Sequence, residues 1–161
     1  MTDKEIAEEY LYQAKNLLPS GFFSRILRYK RKKKEAMEMY QKAGAHFKVA
    51  NLWTDAAMAY IAAAKIYEND TNENTNTARN FADAGECYRK ESPVDALNAY
   101  TKSIDICMVT NQLDVVEVGF GICGEICEKE LKDKEKGYDF HQKANKLYCE
   151  RVKRRKSPKS V

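Results

Sequence analysis

Between Ala36 and Tyr67 the chain spells one pattern twice, and that pattern limits what the sequence can fold into. Ala36, Tyr40, Ala43 and Phe47 set a small, a large, a small and a large residue at offsets 0, 4, 7 and 11, and Ala56, Tyr60, Ala63 and Tyr67 repeat the series. Those offsets put all four side chains on one face of an α-helix. A small residue one turn from an aromatic lets a second helix approach closely while the ring fills the space beside it. The series continues as Thr77, Phe81, Ala84, Tyr88, then as Ala96, Tyr100, Ser103, Cys107, then as Val116, Phe120, Cys123, Cys127, and less cleanly as Gly137, His141, Ala144, Tyr148. Its starts at 36, 56, 77, 96, 116 and 137 are separated by 20, 21, 19, 20 and 21 residues. Such regularity predicts an all-α chain of stacked helical hairpins, each about 40 residues long, rather than an ordinary bundle.

Ala7, Leu11, Ala14 and Leu18 obey the same rule and add a seventh helix, expected from Thr2 or Asp3 to Leu18. From position 7 to position 36 is 29 residues, about nine more than the repeat spacing needs. The surplus falls in Pro19 to Lys30, read as an inserted loop at 19–30. Phe22, Phe23, Ile26, Leu27 and Tyr29 make this loop apolar, whereas a connection between helices is normally polar. Cations follow directly, at Arg25, Arg28 and Lys30 to Lys34. Aromatics that enter a headgroup boundary, beside basic residues worth about 1 kcal/mol each near anionic lipid, describe a membrane-contact loop built on Phe22, Phe23, Ile26 and Leu27. The alternative, a Phe pair folded back to cap the first hairpins, has no use for seven cations beside it.

Further along, Trp53 opens the second helix of the first pair, and the polar run 69–76 offers caps ahead of Thr77. Ser92 and Pro93 start a helix as N-cap and first helical residue. The last helix is expected over about 135–152. The repeat domain is thus 1–152, followed by a basic, flexible tail at 153–161.

The hydrophobic share of 43% and the charged share of 32% exclude a disordered chain. No apolar run nears the roughly 18 residues of a membrane span, and the polar start MTDKEIAEEY is no signal peptide. A cytoplasmic setting is expected, in which cysteines 87, 107, 123, 127 and 149 stay reduced, the first four as small core residues. The net charge of +4 hides two basic runs: seven cations in 25–34 and six in 151–159, which leaves 15 basic residues against 24 acidic ones elsewhere. Patches of this kind bind acidic surfaces. No nucleic-acid partner is expected.

Gly119, Gly121 and Gly124 match G-x-G-x-x-G, yet they fall inside the helical register instead of between a strand and a helix, so no dinucleotide site is read there. Glycines in a helix interior cost up to about 1 kcal/mol each, which marks this helix as the weakest of the set. Cys123 and Cys127, with His141 facing them, could supply part of a zinc site, but all three occupy core positions of the repeat. No nucleophile stands beside a base and an orienting group, so no catalytic residue, cofactor or metal is expected.

The segments AMEMYQKAGAHFKVANLWTDAAMAYIAAAKIY, FADAGECYRKESPVDALNAYTKSIDI and GEICEKELKDKEKG resemble the amino-terminal half of the soluble NSF attachment proteins, over about residues 5–150. SGFFSRIL is similar to that family's membrane-attachment loop. The resemblance implies a tetratricopeptide-like, right-handed twisted sheet of hairpins, an α-solenoid, peripheral on membranes and laid along the four-helix SNARE complex. It implies SNARE contacts at Arg89, Lys90 and Lys102. Family cations are replaced at Asn51, Gln112 and Cys149, which should weaken steering toward the acidic SNARE surface. The family's carboxy-terminal bundle, which engages the NSF ATPase, has no counterpart here, so the resemblance leaves NSF recruitment unsupported. An adaptor for SNARE disassembly in vesicle transport is the function implied. The rivals are a competitor that occupies SNAREs without delivering NSF, and a generic scaffold for a peptide tail.

Overall fold

The computed structural model describes residues 1–17, 26–68 and 71–156. Among them seven α-helices form: α1 (Asp3–Leu17), α2 (Ile26–Val49), α3 (Trp53–Tyr67), α4 (Asn74–Tyr88), α5 (Pro93–Val109), α6 (Leu113–Glu125) and α7 (Lys134–Lys156). A 3-10 turn at Thr71–Glu73 leads into α4, and a π-helical segment at Ile126–Glu130 prolongs α6. No strand occurs among the described residues.

Local chemistry explains the boundaries. Thr2 and Glu5 close a capping box at the start of α1: the Thr2 N–H donates to Glu5 Oε2 at 2.7 Å, and the Glu5 N–H donates to Thr2 Oγ1 at 3.3 Å. Helices α2 and α5 end with an asparagine in the left-handed region, Asn51 and Asn111, both at φ 57. At the first, the Leu52 N–H reaches Phe47 O at 2.9 Å and the Asn51 N–H reaches Lys48 O at 3.0 Å, a Schellman pair; Gln112 and Asn111 repeat it on Cys107 and Met108. Trp53 and Pro93 open their helices as expected, although Ser92 donates its hydroxyl to Asp95 Oδ2 at 2.6 Å instead of accepting a backbone N–H.

Three boundaries differ from those the sequence predicts. Helix α2 starts at Ile26, so the second half of the segment expected as loop 19–30 is helical. Lys and Arg are good helix formers, and nothing between Ile26 and Lys34 breaks the helix. Helix α4 starts at Asn74 rather than near Thr77, and Asn76 Nδ2 donates to Glu73 Oε2 at 2.7 Å across its first turn. Helix α7 runs to Lys156, so the tail assigned to 153–161 is helical over its first four residues; residues 157–161 lie outside the described ones.

The small/large series is the core. Ala7, Ala14, Ala36, Ala43, Ala56, Ala63, Ala84 and Ala96 are fully buried, as are Phe81, Val116, Cys123 and Cys127. Helices pack chiefly on their neighbours in sequence, from α1 on α2 through α6 on α7, as a helical-repeat solenoid requires. The packing is sparsest between α5 and α6. Side-chain bonds then tie alternate helices: Gln41 Nε2 to Asn80 Oδ1 (2.9 Å) and Lys48 Nζ to Glu86 Oε2 (3.0 Å) join α2 to α4.

A second repeat lies inside the first. A Cβ on Gly44 would sit 2.9 Å from the Tyr60 ring, one on Gly85 would sit 2.8 Å from the Tyr100 ring, and one on Gly124 would sit 2.6 Å from the His141 ring. Each glycine follows the second small residue of an even-numbered helix, and each ring is the first large residue of the next helix. Glycine therefore makes a socket in which the ring of the partner helix lies against bare backbone, and this defines the hairpins α2/α3, α4/α5 and α6/α7. Gly121 makes no such socket; a Cβ there meets nothing within 4 Å.

Burial also silences the thiols. Cys87, Cys107, Cys123 and Cys127 are buried, and only Cys149 is exposed. Desolvation pushes the Cys87 thiol up to about 11, the Cys123 thiol up to about 12 and the Tyr100 phenol up to about 12. In native protein at neutral pH a maleimide should therefore label one thiol, Cys149, and the other four only after unfolding. Because these folded-state values are raised, the unfolded chain loses its protons first as pH climbs. Stability should be complete below about pH 9 and fall progressively toward pH 12. Denaturant midpoints measured at pH 8, 10 and 11 check this, and a flat series would contradict the burial of these groups.

Candidate functional site

The basic residues singled out at the α4–α5 turn and on α5 have different fates. Arg89 is the C-cap residue of α4. Its Nε donates to Glu130 Oε1 at 2.5 Å and an Nη donates to Glu125 Oε2 at 3.4 Å, so it fastens α4 to the end of α6 and its π-helical extension. Its guanidinium is 30% exposed and its pKa is raised: burial opposes the charge, but the bonds to the two glutamates outweigh it. Arg89 is thus an internal clasp before it is a surface cation. Lys90, next in the chain, is exposed, with Nζ 5.7 Å from the centroid of the Trp53 ring at the start of α3. Lys102 is 56% exposed; its Nζ lies 5.2 Å from the centroid of the buried Phe81 ring and 3.9 Å from Glu68 Oε1.

These three do not converge. Lys102 lies nine residues into α5, roughly 14 Å along its axis from the turn that carries Arg89 and Lys90. It edges a shallow groove of about 220 Å³ between α3 and α5, together with Lys65, Tyr88 and Asn98. Lys65 is a second exposed cation of this groove, one that the sequence motifs do not single out. It lies off the buried α3 stripe, so the repeat pattern gives no signal for it. Lys90 and Lys102 each lie beside an aromatic ring, and Lys102 is also paired with Glu68.

At two of the three positions where the resemblance leads one to expect a cation, the residue present has a local role. Asn51 holds the left-handed turn after α2, a conformation that asparagine tolerates far better than lysine. Gln112 Nε2 donates to Thr75 Oγ1 and to Thr110 Oγ1, both at 3.1 Å, bracing the α5–α6 turn against α4. Cys149 only contacts Asn145, at 3.9 Å.

Of the expected membrane-contact loop, Phe22 and Phe23 lie outside the described residues, as do the side chains of Ile26 and Leu27. The basic stretch beyond them occupies the start of α2, whose first turn carries no acidic residue. Cations there face the positive end of the helix dipole and gain nothing from their own helix. Arg31 pairs with Glu35 at 3.5 Å, and Lys33 Nζ sits between the Tyr29 and Tyr67 rings, 5.1 and 5.7 Å from their centroids. Among the described residues no helix is long and apolar enough to cross a membrane.

The G-x-G-x-x-G run lies within α6, away from any strand. Cys123 and Cys127 are buried in the core, and His141 seats its ring on Gly124, with Nε2 3.4 Å from Glu128 Oε2. No group of three or more His, Cys, Asp or Glu among the described residues could hold a metal ion.

Comparison with known proteins gives one family. The family model described as "Soluble NSF attachment protein, SNAP" matches residues 5–159. The beta-soluble NSF attachment protein of Bos taurus is 32% identical over 114 residues, 71% of this chain and 38% of the relative. The alpha-soluble NSF attachment proteins of Mus musculus and Homo sapiens are each 29% identical over 128 residues, 80% of this chain and 43% of the relative. The chain thus spans about two fifths of the length of these curated relatives.

Proposed function

Because the chain belongs to the soluble NSF attachment protein family, we propose that it is a non-enzymatic adaptor that lies along an assembled SNARE bundle at a membrane and supports its disassembly by NSF. The observation that carries the assignment of a face is that Lys90 and Lys102 are both exposed, each beside an aromatic ring. An acidic helical bundle is the partner such a surface steers toward itself. Lys65 extends the same face, while Arg89 supports it from within. The basic start of α2 favours an anionic membrane, with Phe22 and Phe23 as the apolar part of that contact.

Cosedimentation with liposomes that carry an assembled SNARE bundle, set against bare liposomes, tests this. Lys90→Glu/Lys102→Glu should lower SNARE-dependent binding roughly tenfold, and Phe22→Ser/Phe23→Ser should lower recovery on either liposome. Equal binding to bare anionic liposomes would reduce the function to charge attraction by the basic patches. A second reading is a competitor that occupies the bundle without recruiting NSF. A reconstituted disassembly reaction separates the two: an adaptor accelerates it and a competitor slows it.

A further inference from the structure

The two basic runs stand near opposite ends of the sequence, yet the fold returns them to one edge of the molecule. Neighbouring helices joined by short turns run in opposite directions, so even-numbered helices begin on the edge where odd-numbered ones end. On that edge α2 begins with Lys30, Arg31, Lys32, Lys33 and Lys34, and α7 ends with Arg151, Lys153 and Arg154. Arg151 Nη2 pairs with Glu117 Oε2 at 2.8 Å, which seats the last turns of α7 against the beginning of α6. The opposite edge is different: from Glu128 to Lys136 the charges alternate in sign.

The α5–α6 turn lies on the same edge, beside the end of α7, and solvent meets apolar side chains there. Val109 is 81% exposed and Met108 52%, both at the end of α5, and Val115 and Val118 stand exposed on α6 just past the turn. Single exposed valines are ordinary, whereas four large apolar residues flanking one tight turn form a patch. Asp105, Asp114 and Glu150 are carboxylates of the same segments, and Arg151 is spent on Glu117. The patch by itself is therefore only weakly cationic, and Lys153 and Arg154 at the helix end supply its positive charge.

We propose that this edge carries a second membrane contact, in which Met108, Val109 and Val115 enter the headgroup boundary of an anionic bilayer while Lys153 and Arg154 meet its phosphates. It extends the reading of the α2 start as a membrane contact and rests on that reading for its partner. An anionic bilayer is the occupant because it alone meets both basic stretches at once and also takes up apolar side chains; an acidic helix or a polyanion strand offers charge but no place for Met108 and Val109. One weak lipid anchor holds a protein only marginally, and stable attachment takes two. A second contact on the same body acts at high effective concentration once the first is made, so modest charge at the α7 end is sufficient.

Flotation of the full chain with phosphatidylcholine vesicles, with and without phosphatidylserine and in the absence of SNAREs, tests the proposal. Lys153→Gln/Arg154→Gln and Met108→Ser/Val109→Ser should each lower affinity for the anionic vesicles roughly tenfold. All four side chains are exposed, so the melting temperature should stay in place. Phe22→Ser/Phe23→Ser should weaken binding but leave a remainder that still depends on Met108 and Val109. Unchanged affinity in both of the new variants overturns the proposal and leaves the α2 end as the sole contact. Full affinity in the Phe variant with loss in Met108→Ser/Val109→Ser sinks the loop reading instead and supports this one. Loss with Lys153→Gln/Arg154→Gln alone reduces the contact to charge and overturns it. A dimer in sedimentation velocity that Met108→Ser/Val109→Ser converts to monomer assigns the patch to a second copy and overturns it as well.

Discussion

Valine at Gly85 should lower the melting temperature by roughly 5–10 °C, an overpacking cost of about 2–3 kcal/mol in a domain of this size. The added Cβ alone would come within 2.8 Å of Tyr100 Cδ2 and 2.9 Å of its Cε2. Tyr100 cannot retreat, because it is buried against Ala78, Ala96 and Ile104 in the core that joins α4 to α6. Gly44→Val should behave alike through Tyr60, whose ring stands equally close. Gly121→Ala is the counterpart: it meets open space and removes the entropic cost of glycine in a helix, so stability should rise by about 0.5–1 kcal/mol. Thermal melts followed by circular dichroism separate the two classes. If Gly85→Val and Gly121→Ala moved the melt in the same direction, the socket account would be wrong.

The second large effect is expected at Arg89. Glutamate there replaces one cation facing Glu125 and Glu130 with a third anion, and leaves two partly buried carboxylates repelling it. Partial exposure tempers the cost to about 1–2 kcal/mol, most of it felt where the π-helical segment packs. Lys102→Glu faces only Glu68 at 3.9 Å from a more exposed position, and its cost to stability should be much smaller. In SNARE cosedimentation both reversals should reduce binding. Only Arg89→Glu should also lower the melting temperature and increase amide exchange over residues 126–130. A melt unchanged by Arg89→Glu would show that the clasp contributes nothing in solution.

The helical register is legible in the sequence because it is local: a side chain's face follows from its position modulo a turn, and Ala7 through Cys127 fall where the offsets put them. Helix starts marked by a single strong residue, Trp53 and Pro93, are also readable. The glycine sockets are not, although Ala43-Gly44 and Ala84-Gly85 recur one hairpin apart, because a residue without a side chain leaves no mark in a pattern built on size. The clasp at Arg89 is hidden for another reason. Its partner Glu130 is 41 residues away, and Gln41 and Asn80 are separated by 39. Bonds between alternate helices thus fall one hairpin length apart, a spacing that local periodicity does not sample. A cation read by its motif position therefore looks free when the fold has already engaged it. The α2 start shows the same limit, since apolar and basic residues that suggest a loop are also compatible with a helix.

The thin seam between α5 and α6 gives the molecule a mechanical character. Hairpins closed by ring and socket behave as stiff leaves, and the leaves α2/α3 and α4/α5 share broad packing through α3 and α4. Between α5 and α6 there is less to shear, so bending strain gathers there, and Arg89 spans that seam as a tie rod from α4 to the π-helical turn. That joint has the least packing to resist shear, and two ion pairs are what bridges it.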